Sequence, residues 1–137
     1  MKDDGGGFCI FPDITFITHH LRKLYGIKRI MIIDLDAHQG NGHEMDHIGD
    51  ANTYIIDAYN HQIYPNDKAA KEGIADDLHV KYTDHDDTFN GKVDKALKQG
   101  IREFKPEFVI YNAGTDCLEG DPLGCLGVSA TGIIQRD

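Results

Sequence analysis

An apolar run that ends in two carboxylates, an imidazole and a glycine-rich turn is the feature that most constrains this chain. Residues 30–33, Ile-Met-Ile-Ile, are typical of a strand buried on both faces. Asp34, Asp36 and His38 follow, then Gln-Gly-Asn-Gly at 39–42. Alternate residues of an extended chain point the same way, so these three side chains share one phase. Because carboxylates beside a core cost on the order of several kcal/mol without a compensating cation or donor, the pattern indicates half of a metal site.

Composition excludes several classes of protein. The 137 residues are 40% hydrophobic, which indicates one globular domain over 1–137. The net charge of −9, with 14 scattered Lys and Arg, argues against direct nucleic-acid binding. The sequence has no run of 18 apolar residues and no apolar signal-peptide core at its start, so neither a membrane span nor secretion is expected. Cys9, Cys117 and Cys125 form no C-x-x-C pair and are expected as reduced thiols.

Alternation of helical and strand patterns predicts an α/β fold with a parallel sheet. Apolar strands are expected at 29–34, 53–57 and 108–112, with a short strand at 79–83. A helix is expected after Pro12, with Ile14, Ile17, Leu21 and Leu24 on its apolar face and Gly26 at its end. Apolar residues at helical spacing predict another helix through 89–104, and Ser129 is expected to cap a further one. Ligands of such sheets bind beyond the carboxyl ends of the strands. The acids at these ends are Asp34, Asp36, Asp57 and Asp116.

Two carboxylates and one imidazole form the predicted metal site. Asp36, His38 and Asp116 would supply two oxygens and one nitrogen and leave positions open, as a catalytic zinc requires. Asp34 is interpreted either as a strand-end cap or as an acid that orients an imidazole.

Other histidine patterns carry less weight. His43-Glu44-x-x-His47 fits a metalloprotease motif, but nearby glycines leave only a short helix. Of the tandem His19 and His20, one is expected to be solvated and the other half buried, because helical neighbours point about 100° apart.

Several segments in fixed order resemble the zinc-dependent histone deacetylase family. They are Gly-Gly-Gly-Phe-Cys at 5–9, Asp-Leu-Asp-Ala-His-Gln-Gly-Asn-Gly at 34–42, Asn-Ala-Gly-Thr-Asp at 112–116 and Glu-Gly-Asp-Pro-Leu-Gly at 119–124. The Gln-Gly-Asn segment is closest to the class IV branch. The resemblance implies a three-layer α/β/α fold of the arginase/deacetylase type, incomplete in this chain. It also implies zinc-dependent hydrolysis of acyl-lysine amides, with protein substrates such as histone tails, in the nucleus or cytoplasm.

The resemblance also implies roles for individual residues. The zinc ligands would be Asp36, His38 and Asp116. Phe8 and Tyr64 would be the two aromatic walls of an acyl-lysine tunnel.

Further roles concern the surroundings of the metal. Asp34 would act in catalysis by pairing with a catalytic histidine, and Asn41 replaces an acid that usually pairs with the second histidine. A potassium ion would be held by Asp34, Asp36, His38, Asp57 and Ala58.

Departures from the family's sequence pattern leave two other functional interpretations open. The family's tandem catalytic histidines precede the glycine triplet, and its carbonyl-polarising tyrosine lies beyond the next helix; neither has a match in this sequence. We therefore expect a central piece of a catalytic domain with little activity of its own. One alternative is an arginase-type ureohydrolase, which needs two manganese ions and more bridging acids. The other is an inactive metal-binding or interaction fragment.

Overall fold

Four parallel strands form the centre of the computed structural model, which describes residues 5–137. The part of the expected 1–137 domain that precedes Gly5, with the start of the chain, lies outside the described residues. The spatial order of the strands is β3-β2-β1-β4. The strands are β1 (Ile30–Asp34), β2 (Thr53–Asn60), β3 (Asp76–Val80) and β4 (Phe108–Asn112); the helices are α1 (Asp13–Tyr25), α2 (Asn41–Asp46), α3 (Asp86–Phe104) and α4 (Ala130–Arg136), with a 3₁₀ turn at Ala70–Gly73.

The register of the sheet aligns the polar strand ends. Asp34, the last residue of β1, pairs with Asp57 on β2 and with Asn112 on β4. Every residue of β1 is buried, as expected for a central strand covered on both faces. The carboxyl ends of three neighbouring strands therefore meet at one edge, where the sequence predicted a site.

Helices cover both faces of the sheet. On one face, Met31 and Ile33 of β1 pack in an apolar cluster with Phe89 and Val93 of α3. On the other face, Asp34 lies beside His43 of α2, because alternate strand residues point to opposite sides. The arrangement gives the expected helix–sheet–helix layers. No helix in the described part of the chain is long and apolar enough to cross a membrane.

Helix α1 differs from its sequence pattern in the face that it buries. The helix spans the expected residues and ends at Gly26, which has φ of 69° as helix-ending glycines commonly do. However, Thr15 and Thr18 are buried, whereas Ile17 and Leu24 are exposed. The threonines face inward because Thr15 donates to Asp46 and the Thr18 hydroxyl lies 3.0 Å from Nε2 of His47.

Three local expectations were wrong. The short strand expected at 79–83 is β3, at Asp76–Val80. His19 and His20 are both exposed, so neither is half buried. Strand β4 lies at the sheet edge, and Phe108, Val109 and Tyr111 are each at least 40% exposed, so it is not the buried strand that its apolar composition predicted. By contrast, the expected cap is present: Ser129 Oγ accepts from the Gly132 amide.

Candidate metal centre

Asp36, His38 and Asp116 come together beyond the carboxyl ends of β1 and β4. One ligand atom from each of the three side chains lies within 4.8 Å of the other two. His38 Nδ1 is 2.7 Å from Asp116 Oδ2 and 3.2 Å from Asp36 Oδ1. Among residues 5–137, these form the single group of three or more His, Cys, Asp or Glu side chains that could share an ion.

Side chain-to-backbone hydrogen bonds shape the turn that carries two of these residues. The Asp36 amide donates to Asp34 Oδ1, and the His38 amide donates to Asp36 Oδ1. Across the gap to the β4 loop, the Ala37 amide donates to Asp116 Oδ1 at 2.7 Å. Such contacts are local turn chemistry rather than strand pairing. They aim the remaining carboxylate oxygens and His38 Nδ1 at one point.

A glycine brings the two strand-end loops close enough for this geometry. A Cβ atom at Gly114 would lie 2.4 Å from Cα of Asp36 and 2.9 Å from its Oδ2. Real Cβ atoms do not approach other atoms so closely, so the loop after β4 depends on glycine here. The backbone of that loop consequently packs against the Asp36 residue itself.

The donor set fits a metal ion by its chemistry. Half-burial and the neighbouring Asp116 carboxylate both raise the pKa of the Asp36 carboxyl, with burial the larger cause. Two close carboxylates are compensated best by a cation between them. Two carboxylate oxygens and one imidazole nitrogen are ligands that Zn²⁺ accepts, and three protein ligands leave a fourth position open.

Three buried acids lie beneath this turn. Asp34, Glu44 and Asp57 are each at most 1% exposed. Burial is the largest cause of the raised pKa of each carboxyl: to about 8 for Asp34, and well above the usual value for Asp57. Asp57 Oδ2 accepts from the Gly40 amide. Among the described residues no amide, hydroxyl or cationic donor reaches Asp57 Oδ1 or Glu44 Oε1, and the two carboxyls interact with each other, which further raises the pKa of Asp57. The region therefore has unmet capacity for a proton or a cation.

Asp34 meets a different imidazole from the one that the resemblance implies. Its Oδ1 accepts from Asn112 Nδ2 at 2.9 Å, and its Oδ2 lies 3.5 Å from Nε2 of His43. Burial lowers the pKa of His43 to about 4, which disfavours the charged imidazole that an ion pair with Asp34 would need. His43 Nε2 has no hydrogen-bond partner among the described residues. His47 turns away to Thr18, so the two histidines of the metalloprotease-like motif do not converge.

The loop that carries Tyr64 is fastened to the same turn. Gln39 forms two hydrogen bonds with the Asp67 backbone, donating to its carbonyl and accepting from its amide. Asn41 Nδ2 donates to Asp67 Oδ2 at 3.2 Å. Thus the Asn41 side chain bonds to this loop, and among the described residues it forms no hydrogen bond with a histidine.

The two predicted wall residues are both highly exposed. Phe8 is 98% exposed and has φ of 64°, and Tyr64 is 63% exposed. A Cβ atom at Gly6 would lie 3.3 Å from the Tyr64 hydroxyl, so the glycine triplet and the Tyr64 loop are neighbours. The tunnel itself stays a prediction. Ala58, the remaining predicted potassium ligand, is fully buried on β2.

Comparison with known proteins identifies the family. The sequence profile of the histone deacetylase domain matches residues 1–137. The chain belongs to the histone deacetylase family. Histone deacetylase 2 of Arabidopsis thaliana is 51% identical over 97% of this chain and 34% of the relative, and human histone deacetylase 9 is 30% identical over 90% of this chain and 14% of the relative. This deacetylase-family chain therefore spans about a third of the Arabidopsis relative.

Solved structures confirm the predicted fold. The crystal structure of an HDAC homologue complexed with SAHA superposes with a TM-score of 0.86 at 25% identity, over 99% of this chain and 39% of that chain. The HDA15 HD domain superposes with a TM-score of 0.77 at 27% identity, over 93% of this chain and 39% of that chain. The parallel sheet with its helices is thus the α/β fold of the deacetylase and arginase type.

Proposed function

We propose that this chain supplies the metal-binding part of a zinc-dependent hydrolase that removes acyl groups from lysine side chains of proteins. The observation that carries the proposal is the convergence of Asp36, His38 and Asp116 within 4.8 Å in a chain of the histone deacetylase family. A zinc ion held by these residues supplies Lewis acidity toward the amide carbonyl and toward water. The substrate class follows the names of the curated relatives, such as histone deacetylase 2 of Arabidopsis thaliana.

Individual residues of this chain would have distinct roles in the site. Asp36, His38 and Asp116 would hold the ion. The Ala37 amide donates a hydrogen bond to Asp116 Oδ1 and would so leave Asp116 Oδ2 free to bind. Asp34 would help to orient the ligand turn through the Asp36 amide. Phe8 and Tyr64 would line the path of the lysine stem, whose methylene groups suit aromatic walls.

A monovalent cation such as K⁺ is part of the same proposal. Its ligands would come from Asp34, Asp36, His38, Asp57 and Ala58. Asp34 and Asp57 are buried acids in register on neighbouring strands, and burial raises the pKa of both. A cation between the β1 and β2 ends would offset the cost of burying ionised carboxylates.

The ureohydrolase alternative receives less support. A two-metal site needs acids that bridge two ions about 3.5–4 Å apart. In the part of the chain that the structure describes, the buried acids Asp34, Glu44 and Asp57 do not join the three-residue cluster. The geometry therefore favours one transition-metal ion.

The decisive assay measures hydrolysis of acyl-lysine peptides by a zinc-loaded protein. This protein is produced from the longest reading frame that contains residues 1–137. We expect turnover of an acetyl-lysine or a long-chain acyl-lysine peptide. We expect Asp116→Ala to lower kcat/KM by about 10²-fold or more, since losing even an outer partner of a metal ligand costs about 10–100-fold. Asp94→Ala, at an exposed acid on α3, is the matched control and should leave turnover unchanged.

Two results would contradict the proposed function. One is a zinc-loaded protein that hydrolyses neither peptide. The other is an Asp116→Ala variant with the parent's kcat/KM.

For the 137 residues alone we expect little turnover. General acid–base catalysis and oxyanion stabilisation contribute roughly 10²–10⁴-fold and 10²–10³-fold, and the matching histidine pair and tyrosine are not in this sequence.

A further inference from the structure

A buried arginine links the two loops that carry the candidate metal ligands. Arg136, the last residue of α4, has a side chain that is fully buried. Its Nη1 donates to the Gly114 carbonyl at 2.7 Å, and lies 3.4 Å from both the Leu35 carbonyl and the Cys117 sulfur. Leu35 directly precedes Asp36, and Gly114 lies two residues before Asp116. One nitrogen of Arg136 thus contacts the backbone of both strand-end loops.

The guanidinium is itself held in one orientation. Its Nε donates to Asp137 Oδ1 at 2.8 Å. The Tyr111 hydroxyl donates to the same oxygen, and the Tyr111 ring lies 5.9 Å from the guanidinium carbon. Planar arginine donors held from two sides lose little further entropy when they bind carbonyls. Arg136 is therefore fixed by β4 and by the end of α4.

Filling of space alone explains these contacts poorly. Arg136 Nη2 is buried with no hydrogen-bond partner among the described residues. An unpartnered buried donor on a charged group is costly, so an apolar side chain would fill this space at lower cost. An arginine suits the position because carbonyl oxygens of two separate loops need a shared donor.

We propose that Arg136 is a positioning residue that clamps the β1 and β4 loops together, so that Asp36 and Asp116 are pre-aligned before metal binds. The proposal deepens the proposed function and rests on it for the identity of the site. The Ala37 amide, which donates to Asp116 Oδ1 across the two loops, reports the alignment without any metal. Loosening the clamp should weaken this hydrogen bond first and metal affinity as a consequence.

The test compares three variants of the chain. Arg136→Met removes the donors but keeps the aliphatic stem, and Arg136→Lys keeps the charge but loses the planar fork. Arg102→Met is the matched control, because Arg102 is exposed on α3 and, among residues 5–137, its guanidinium pairs only with the neighbouring Glu103. Two quantities are measured: amide hydrogen exchange of the metal-free protein, and affinity for Co²⁺ from its visible absorption.

For Arg136→Met we expect exchange at Ala37 to be about tenfold faster, with the amides of Ile32 and Ile55 in the central strands unchanged. The Co²⁺ dissociation constant should rise about 10–100-fold, as for other supports of metal ligands. Arg136→Lys should lie between this variant and the parent, and Arg102→Met should match the parent.

The proposal is overturned if a folded Arg136→Met protein keeps the parent's Ala37 exchange and Co²⁺ affinity. Equal acceleration at Ala37, Ile32 and Ile55 also overturns it, since that shows general destabilisation. If Arg136→Met does not fold, the same comparison on Arg136→Lys decides. A parent that binds no Co²⁺ would contradict the proposed function alone, and the exchange comparison would still test the clamp.

Discussion

Replacing His38 by alanine is expected to lower zinc affinity by about 10²-fold or more. The ring supplies the one nitrogen of the cluster, with Nδ1 2.7 Å from Asp116 Oδ2. Loss of an outer partner of a metal ligand costs about 10–100-fold in affinity, so loss of a ligand should reach at least the upper end of that range. The remaining carboxylates, Asp36 and Asp116, would then face each other without an imidazole between them. Competition against a chromophoric chelator at fixed pH measures the change.

His19→Ala is the matched control for this substitution. His19 is exposed on α1 and is not a member of the cluster, so its loss should leave zinc affinity within about twofold of the parent. Equal affinities for the parent and His38→Ala would show that zinc binds elsewhere. Equal losses in both variants would show nonspecific binding by surface histidines.

Replacing Gly114 by alanine is expected to damage both the fold and the site. The added Cβ would lie 2.4 Å from Cα of Asp36 and 2.7 Å from its Cβ, so one of the two loops must move. Overpacking of this kind costs about 1–3 kcal/mol in the free energy of unfolding. Because the displaced residue is a candidate ligand, zinc affinity should fall as well. Urea unfolding and chelator competition on the same protein give both numbers.

Gly91→Ala makes the same chemical change where there is space. No heavy atom lies within 4 Å of a Cβ built at Gly91, which is exposed in the interior of α3. Alanine in place of glycine in a helix stabilises by about 0.5–1 kcal/mol, so the free energy of unfolding should rise and zinc affinity should not change. A Gly114→Ala protein as stable as Gly91→Ala would contradict the close approach of the two loops.

Strand composition predicted much of the fold. The apolar run before Asp34 gave β1 to within one residue, and 108–112 was predicted as observed. Periodicity alone did not predict which face of α1 is buried, because Thr15 and Thr18 point inward to hydrogen-bond partners about 30 residues away in sequence. It also did not predict exposure of β4, which depends on the strand's place at the edge of the sheet.

The reason for the convergence of the candidate ligands differs from the one argued from sequence. Strand alternation placed Asp34, Asp36 and His38 on one side, but β1 ends at Asp34. Beyond it, Asp36 and His38 lie in a turn set by hydrogen bonds to the Asp34 and Asp36 carboxylates. Asp34 instead lies on the α2 side with His43. The residue types were informative because their chemistry fits a metal, while their directions are set by turn geometry.

Other residues around the site carried no local signal. Arg136 contacts the Leu35 carbonyl across 101 residues of sequence, and no motif marks an arginine at the end of a short capped helix. The sequence marked Glu44 only as part of a metalloprotease-like pattern. In the structure Glu44 is buried, and its Oε2 accepts a hydrogen bond from Gln39 Nε2 at 2.7 Å. Such contacts depend on tertiary packing, and no fixed spacing of residues in the sequence predicts them.

X-ray absorption at the zinc edge tests the central claim most directly. For the chain loaded with one equivalent of zinc, binding by Asp36, His38 and Asp116 predicts a shell of nitrogen and oxygen atoms at about 2.0–2.2 Å, with one imidazole per zinc. His38→Ala should lose the imidazole signal. A sulfur shell at about 2.3 Å, which would implicate the free cysteines, or a second metal at about 3.5–4 Å, would contradict the account.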